Sequence, residues 1–252
     1  MSAPQSAHTG EILLHRKERA YKAGFCIIRE SLSGLLKYTP LLHPSEDEYY
    51  STLKYDKRKI SYLLGRIAAK KALAAQSGIK DLKSTAIDIG IFSFPVVKSK
   101  ELHNMQVSIS HCDEIGLALA FPEEHPLGID IEKADSDKTE AMKTQMSLRE
   151  MNMLLDSGLT ETTGCTILWT VKEALSKIFR TGLTMDIRLF EIESLHRKES
   201  FFECSFAHCG QYKAISLMSG AFICSIVLPK NTSPDLSLFQ QSFELVCTGK
   251  NL

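Results

Sequence analysis

Between residues 56 and 76, apolar side chains return at Ile60, Leu63, Leu64, Ile67, Ala68 and Leu73. That three-and-four spacing predicts an amphipathic helix, and Gly78 supplies its stop. Apolar runs of strand length follow at 86–94, 105–110 and 115–121, the last two joined by a tight polar turn over 111–114. Pro122 and Pro126 mark a joint in the chain. Beyond it, 127–131 reads as a strand, and the polar, methionine-containing stretch 138–156 reads as a helix stopped by Ser157-Gly158. A second long helix is predicted over 166–180, with Thr181-Gly182 as its stop, and strand-like runs follow at 187–192, 201–206, 212–217 and 221–228. Residues 1–50 mix apolar pieces with loops, irregular around 40–45, and the tail after Pro229 carries no legible motif.

One long helix and several short strands in each half predict an α+β fold, with subdomains 1–125 and 126–252. A faint echo suggests duplication: Lys70-Lys71-Ala72-Leu73 aligns with Lys172-Glu173-Ala174-Leu175 at an offset of 102. If the echo is real, Lys71 stands where the second half has Glu173. The halves then carry unequal acid groups, and one site per chain is expected.

Composition narrows the function. Lys+Arg and Asp+Glu both total 30 in 252 residues, so bulk charge does not point to nucleic acid, though a local basic pocket stays open. The longest apolar stretches, 115–121 and 221–228, are too short to span a bilayer, and the Ile12-Leu13-Leu14 run is too short for a signal peptide. A soluble cytoplasmic protein with no membrane partner is expected. The seven cysteines are odd in number and form no CxxC pair, so they read as reduced core residues. Cys204, His208 and Cys209 match no common zinc spacing.

Four segments have residues able to carry chemistry. In Gly128-Ile129-Asp130-Ile131-Glu132, a strand places Asp130 and Glu132 on one face, where two carboxylates suit Mg²⁺; a strand end emerging into solvent explains them equally. In Trp169-Thr170-Val171-Lys172-Glu173-Ala174-Leu175-Ser176-Lys177, a helix puts Glu173 and Lys177 on one face. They suit either proton transfer beside a phosphate-holding cation or a plain exposed ion pair, and Trp169 suits the core. Val107-Ser108-Ile109-Ser110-His111 is an alternating strand whose polar tip could contact an anion. Gly65-Arg66 through Lys70-Lys71 places cations on a helix, a pattern also expected of a solvated face.

Taken together and in this order, the segments say more. Gly-Ile-Asp-Ile-Glu, followed at residues 169–177 by Trp-Thr-Val-Lys-Glu-Ala-Leu-Ser-Lys, closely resembles the signature of the 4′-phosphopantetheinyl transferase superfamily. Ser-Ile-Ser-His and Gly-Arg-Ile-Ala-Ala-Lys upstream resemble further motifs of its single-chain, Sfp-type branch, over residues 45–230 in all. The resemblance implies a pseudo-dimer of two similar α+β subdomains, each a long helix packed on a small antiparallel sheet, acting as a monomer with coenzyme A in the cleft between them. It implies Mg²⁺, with Mn²⁺ an alternative, on Asp130, Glu132 and Glu173. Glu173 would take the proton of the carrier serine, directly or through water. Lys177, helped by Lys172, would hold the pyrophosphate, and Ser110, His111 and Arg66 would meet the nucleotide end. The implied partner is an acyl or peptidyl carrier protein of peptide, polyketide or fatty-acid synthesis. Met142, Met146, Met151 and Met153 either contact that carrier or pack in the core. Lys17, Arg19, Lys22 and Arg29 are further candidates for the nucleotide end. Two other readings stay open: a non-catalytic protein of this fold that binds carrier or coenzyme A, and a magnesium-dependent pyrophosphate hydrolase.

Overall fold

The computed structural model describes residues 7–181 and 184–249. The chain folds as two compact units, residues 1–126 with 233–252 and residues 127–232. Both combine helices with antiparallel sheet, an α+β architecture.

The first unit opens with two long strands, β1 (Ala7–His15) and β2 (Ala20–Arg29), where the sequence suggested apolar pieces and loops. Helices α1 (Leu32–Leu35), α2 (Pro44–Thr52) and α3 (Asp56–Ser77) follow. The α3 helix matches its periodicity, and Gly78 ends it in the left-handed conformation at φ 76°. The run expected as one strand over 86–94 is broken at Gly90–Ser93, leaving β3 (Ala86–Ile89) and β4 (Pro95–Lys98) as a hairpin. Strands β5 (Met105–Cys112) and β6 (Ile115–Pro122) complete a sheet that includes the neighbours β1-β2-β6-β5. Leu63, Leu64, Ile67, Ala68 and Ala72 of α3 bury against Cys26, Ile28, Ala118 and Ala120 of this sheet.

In the second unit β7 (Gly128–Lys133) leads to α4 (Ser136–Lys143), α5 (Leu148–Leu155) and α6 (Glu161–Phe179). The single helix expected over 138–156 is therefore two, because Ser147 caps the second through Glu150 N–H and restarts the helix. Arg180 caps α6 at φ 57°; Gly182, read as part of the stop, lies outside the described residues. The strand expected over 187–192 is a 3₁₀ turn, Ile187–Phe190, before β8 (Ile192–Arg197). Then β9 (Phe202–Phe206), β10 (Tyr212–Ser219) and β11 (Phe222–Pro229) give the sheet order β7-β11-β10-β9-β8. Ile167, Leu168, Val171 and Leu175 of α6 form the core with Phe206, Ala214, Ile223 and Val227.

Residues 233–252, which the sequence division gave to the second half, belong to the first unit. There β12 (Ser233–Pro234) pairs with the end of β1, and α7 (Ser237–Thr248) sets Phe239 edge-on to Phe25 with ring centres 5.2 Å apart. Arg29 donates to the carbonyls of Val246 and Cys247 in the last turn of α7, where a helix presents unpaired acceptors. Five of the seven cysteines are buried, none of the seven is in a disulfide among the described residues, and burial pushes Cys26 and Cys204 up to about 12. Among the described residues no helix is long and apolar enough to cross a membrane.

Candidate active site

The second unit assembles its chemistry where β7 meets α6. Gly128 is what lets them meet: a Cβ there would fall onto the Ala174 carbonyl oxygen. Ile129 and Ile131 are fully buried on the strand, while Asp130 and Glu132 share its other face, Asp130 buried and Glu132 partly so. The tight crossing brings Lys177 Nζ from α6 to β7. It donates to the Ile129 carbonyl at 2.7 Å and to Asp130 Oδ1 at 2.8 Å. Glu173 stands one turn earlier on the same helix face.

Electrostatics make Glu173 unusual. Burial, first, and the Asp130 charge, second, push its carboxyl from 4.5 to about 7, with Lys177 opposing and Glu132 adding a smaller push. A carboxyl titrating near neutrality is matched to proton transfer at working pH, which an ordinary surface glutamate is not. Asp130 and Glu132 each keep a lysine: Lys177 on Asp130, and Lys138 Nζ on Glu132 Oε2 at 3.0 Å.

Beside these groups lies a cleft of about 740 Å³ contained in this unit. Glu132 and Lys138 stand at its charged side, and Met142, Trp169, Met185 and Ile187 supply apolar wall. Trp169 is thus both partly packed on the core and a wall of the cleft.

Asp130, Glu132 and Glu173 are the carboxylate donor type that hard divalent cations take. The charges of Asp130 and Glu132 raise the proton affinity of Glu173, and that repulsion is what a cation would relieve. The arrangement is not a ready-made nest, because among the described residues no three acid, histidine or cysteine side chains converge as ligands.

Other expected site residues fall elsewhere. Lys172, expected to help Lys177 hold the pyrophosphate, has a fully buried side chain. Its Nζ pairs with Glu150 Oε2 at 2.8 Å and donates to the Gln145 carbonyl at 2.9 Å, so it ties α6 to α5. Ser110, His111 and Arg66 belong to the first unit. His111 is exposed at the end of β5 with Nε2 2.6 Å from Ser61 Oγ, and Ser110 is buried on the same strand. Arg66 is mostly buried, its guanidinium 4.8 Å from the Tyr62 ring centre and its Nε 3.9 Å from Glu46. Arg19 and Lys22 pair with Glu124 and Glu11 in the same unit. Met142 and Met146 are buried and Met151 and Met153 partly so, all packed in the second core. The large apolar side chains that this stretch does expose are Leu148, at 79%, and Leu155, at 81%.

Sequence reasoning missed Lys138, Met185 and the glutamates that anchor the buried lysines. A signal for the glutamates was present: His43-x-x-Glu46 and Ser147-x-x-Glu150 both form capping boxes at the starts of α2 and α5. Lys138 carried none, since a lone lysine six residues beyond a strand acid is indistinguishable from solvated surface. No curated protein matches the chain. Residues 126–227, the stretch from β7 into β11 that carries Asp130, Glu132, Glu173 and Lys177, match the family model described as the 4′-phosphopantetheinyl transferase superfamily.

Proposed function

We propose that this protein transfers the 4′-phosphopantetheine group of coenzyme A to a serine of an acyl or peptidyl carrier protein, with Mg²⁺ or Mn²⁺ as the metal. The observation that carries the reading is the coincidence of the matched stretch with a half-buried, proton-hungry Glu173 beside two strand acids and a lysine. A bound divalent cation would supply charge neutralisation for the pyrophosphate, and Asp130, Glu132 and Glu173 would hold it. Glu173 accepts the serine proton as the serine oxygen bonds to the β-phosphorus. The bond from that phosphorus to the bridging oxygen breaks, and adenosine 3′,5′-bisphosphate leaves with the electron pair. Lys177, already aimed at β7, steadies the negative charge gathering on the phosphates. Ser110, His111 and Arg66 of the first unit take the nucleotide end, with the exposed imidazole of His111 the most available of the three.

A duplicated ancestry of the two halves is supported by a shared connection order: from β2 in one and β7 in the other, a strand, three α-helices and then four strands follow. It predicts that one unit alone carries the acids.

Intact-mass measurement of an apo carrier incubated with coenzyme A and Mg²⁺ tests the reaction. The expected outcome is one added phosphopantetheine, with the rate reduced about 10²-fold or more by Glu173→Ala. Coenzyme A binding without modification of peptide, polyketide or fatty-acid carriers would favour the non-catalytic reading. Hydrolysed coenzyme A with unmodified carrier would favour the hydrolase.

A further inference from the structure

Three hydroxyls stand in the core of the second unit, beside the acid motif. Thr170 of α6, Ser225 of β11 and Ser216 of β10 are all fully buried. Thr170 donates to the Ile167 carbonyl of its own helix at 3.0 Å, and its Oγ1 lies 2.7 Å from Ser225 Oγ. Ser225 Oγ in turn lies 2.7 Å from Ser216 Oγ. A hydroxyl has one proton to donate. Thr170 uses its own on the carbonyl, so Ser225 donates to Thr170 and Ser216 to Ser225, an ordered chain from sheet to helix. The β7–β11 register sets Ser225 directly opposite Asp130, so the two side chains leave the sheet on one face. Thr170 stands one turn before Glu173 and two turns before Lys177 on α6.

The first unit shows that the frame itself does not need these hydroxyls. At the offset of 102, Ala68 stands where the second unit has Thr170. Counting along the strands from Gly24 and Gly128, Ala118 stands for Ser225, opposite Cys26 as Ser225 is opposite Asp130. Ile109, opposite Ala118, stands for Ser216, opposite Ser225. Ala68, Ala118 and Ile109 all pack in the core of the first unit. Buried hydroxyls add no apolar contact and are tolerated only when paired, so packing alone favours the apolar set. The half that has the acids has the hydroxyls, and the half without the acids has neither.

We infer that Thr170, Ser225 and Ser216 are positioning residues, whose hydrogen-bonded chain pins the face of α6 that carries Glu173 and Lys177 at one rotation over β7. Apolar contact is non-directional and lets a helix turn or slide slightly at little cost, whereas short hydrogen bonds fix direction. The two bonds of Lys177 to β7, at the Ile129 carbonyl and at Asp130, need that rotation. For its effect on catalysis the inference rests on the transfer reading given above; for the geometry at Lys177 it does not.

The test compares full-length wild type with the triple variant Thr170→Val, Ser216→Ala, Ser225→Ala, which removes the whole chain and leaves no orphaned hydroxyl. Thr170→Ser, which keeps the hydroxyl, is the control. The first measurement is the ¹⁵N–¹H spectrum of the lysine ammonium groups, with the Lys177 signal assigned through Lys177→Arg. The second is kcat and KM for transfer from coenzyme A to an apo carrier. The triple variant is expected to melt near wild type, to shift or lose the Lys177 signal, and to lower kcat about tenfold with KM for coenzyme A within about twofold. Thr170→Ser stays near wild type in both measurements. An unchanged Lys177 signal or an unchanged kcat in the triple variant overturns the inference, as does a Thr170→Ser protein that behaves like the triple variant. Wild type that modifies no carrier overturns the transfer reading instead, and the Lys177 signal alone then decides the pin. Should the triple variant fail to fold, Ser225→Ala alone carries the same two expectations.

Discussion

The two units use one scaffold device and differ in what they hang on it. In the first, Lys70 of α3 is fully buried and pairs with Glu46, the capping-box glutamate of α2, at 2.9 Å. The other oxygen of Glu46 accepts from Ile87 N–H on β3 at 2.8 Å. In the second, Lys172 of α6 pairs with Glu150, the capping-box glutamate of α5, at 2.8 Å, and Glu150 accepts from Ile192 N–H on β8 at 2.8 Å. The glycines repeat as well: a Cβ on Gly24 would fall onto the Ala72 carbonyl, as one on Gly128 would onto that of Ala174. Gly24 is held opposite Ala120 by the β2–β6 register, and Gly128 opposite Val227 by the β7–β11 register. Counting from those glycines and lysines, Cys26, Ile28 and Lys71 stand where the second unit has Asp130, Glu132 and Glu173. The scaffold tolerates either set. In the proposed reading, chemistry in this chain is a matter of three side chains laid on that frame.

The sharpest way to break the comparison is to remove the buried lysines. Lys172→Met leaves Glu150 as an uncompensated buried carboxylate, at about 3–5 kcal/mol, and Lys70→Met leaves Glu46 with only Arg66 3.9 Å away, at the lower end of that range. Urea unfolding should show two losses of similar size. A tolerated Lys70→Met beside a crippling Lys172→Met would show that the device is not shared. Next in size is the close crossing. Gly24→Ala and Gly128→Ala each force backbone from backbone and should cost about 3 kcal/mol by the same measurement, since neither carbonyl can yield as a flexible side chain would. Movement of Asp130 and Lys177 away from one another makes the second substitution damaging to the proposed transfer activity as well.

The smallest effect separates the units instead of joining them. A carboxyl whose folded pKa lies above its unfolded value binds its proton more tightly when folded. The stability Glu173 contributes is therefore fully present below about 4.5 and is lost as pH rises through about 7. In metal-free buffer, Glu173→Gln should gain on wild type between pH 5 and pH 8 by an amount on the order of 1–3 kcal/mol. Lys71→Gln, the counterpart in the first unit, should show no such trend. A flat difference for Glu173→Gln across this range would mean that Asp130 and burial do not act on it as the geometry requires.

The long helices, most central strands and the acid motif were legible in the sequence by itself. They depend on local rules: a three-and-four apolar repeat places 56–77, and alternation places Asp130 and Glu132 on one face before any tertiary contact forms. The break at Ser147 was legible in principle, since its capping box is a local pattern. Tertiary structure alone decided the fate of the two adjacent residues Lys172 and Glu173. Both are polar and next to each other, yet a helix turns them about 100° apart, and only the position of α5 sends one into a buried ion pair and leaves the other facing β7. It also decided that 233–252 return to the first unit, because strand pairing with β1 and the seat of Phe239 on Phe25 join residues more than two hundred positions apart. The proton affinity of Glu173 belongs to this second class. Sequence supplies the carboxyl, but burial and the charge of Asp130, brought close by a glycine that lets helix and strand touch, move it to neutrality.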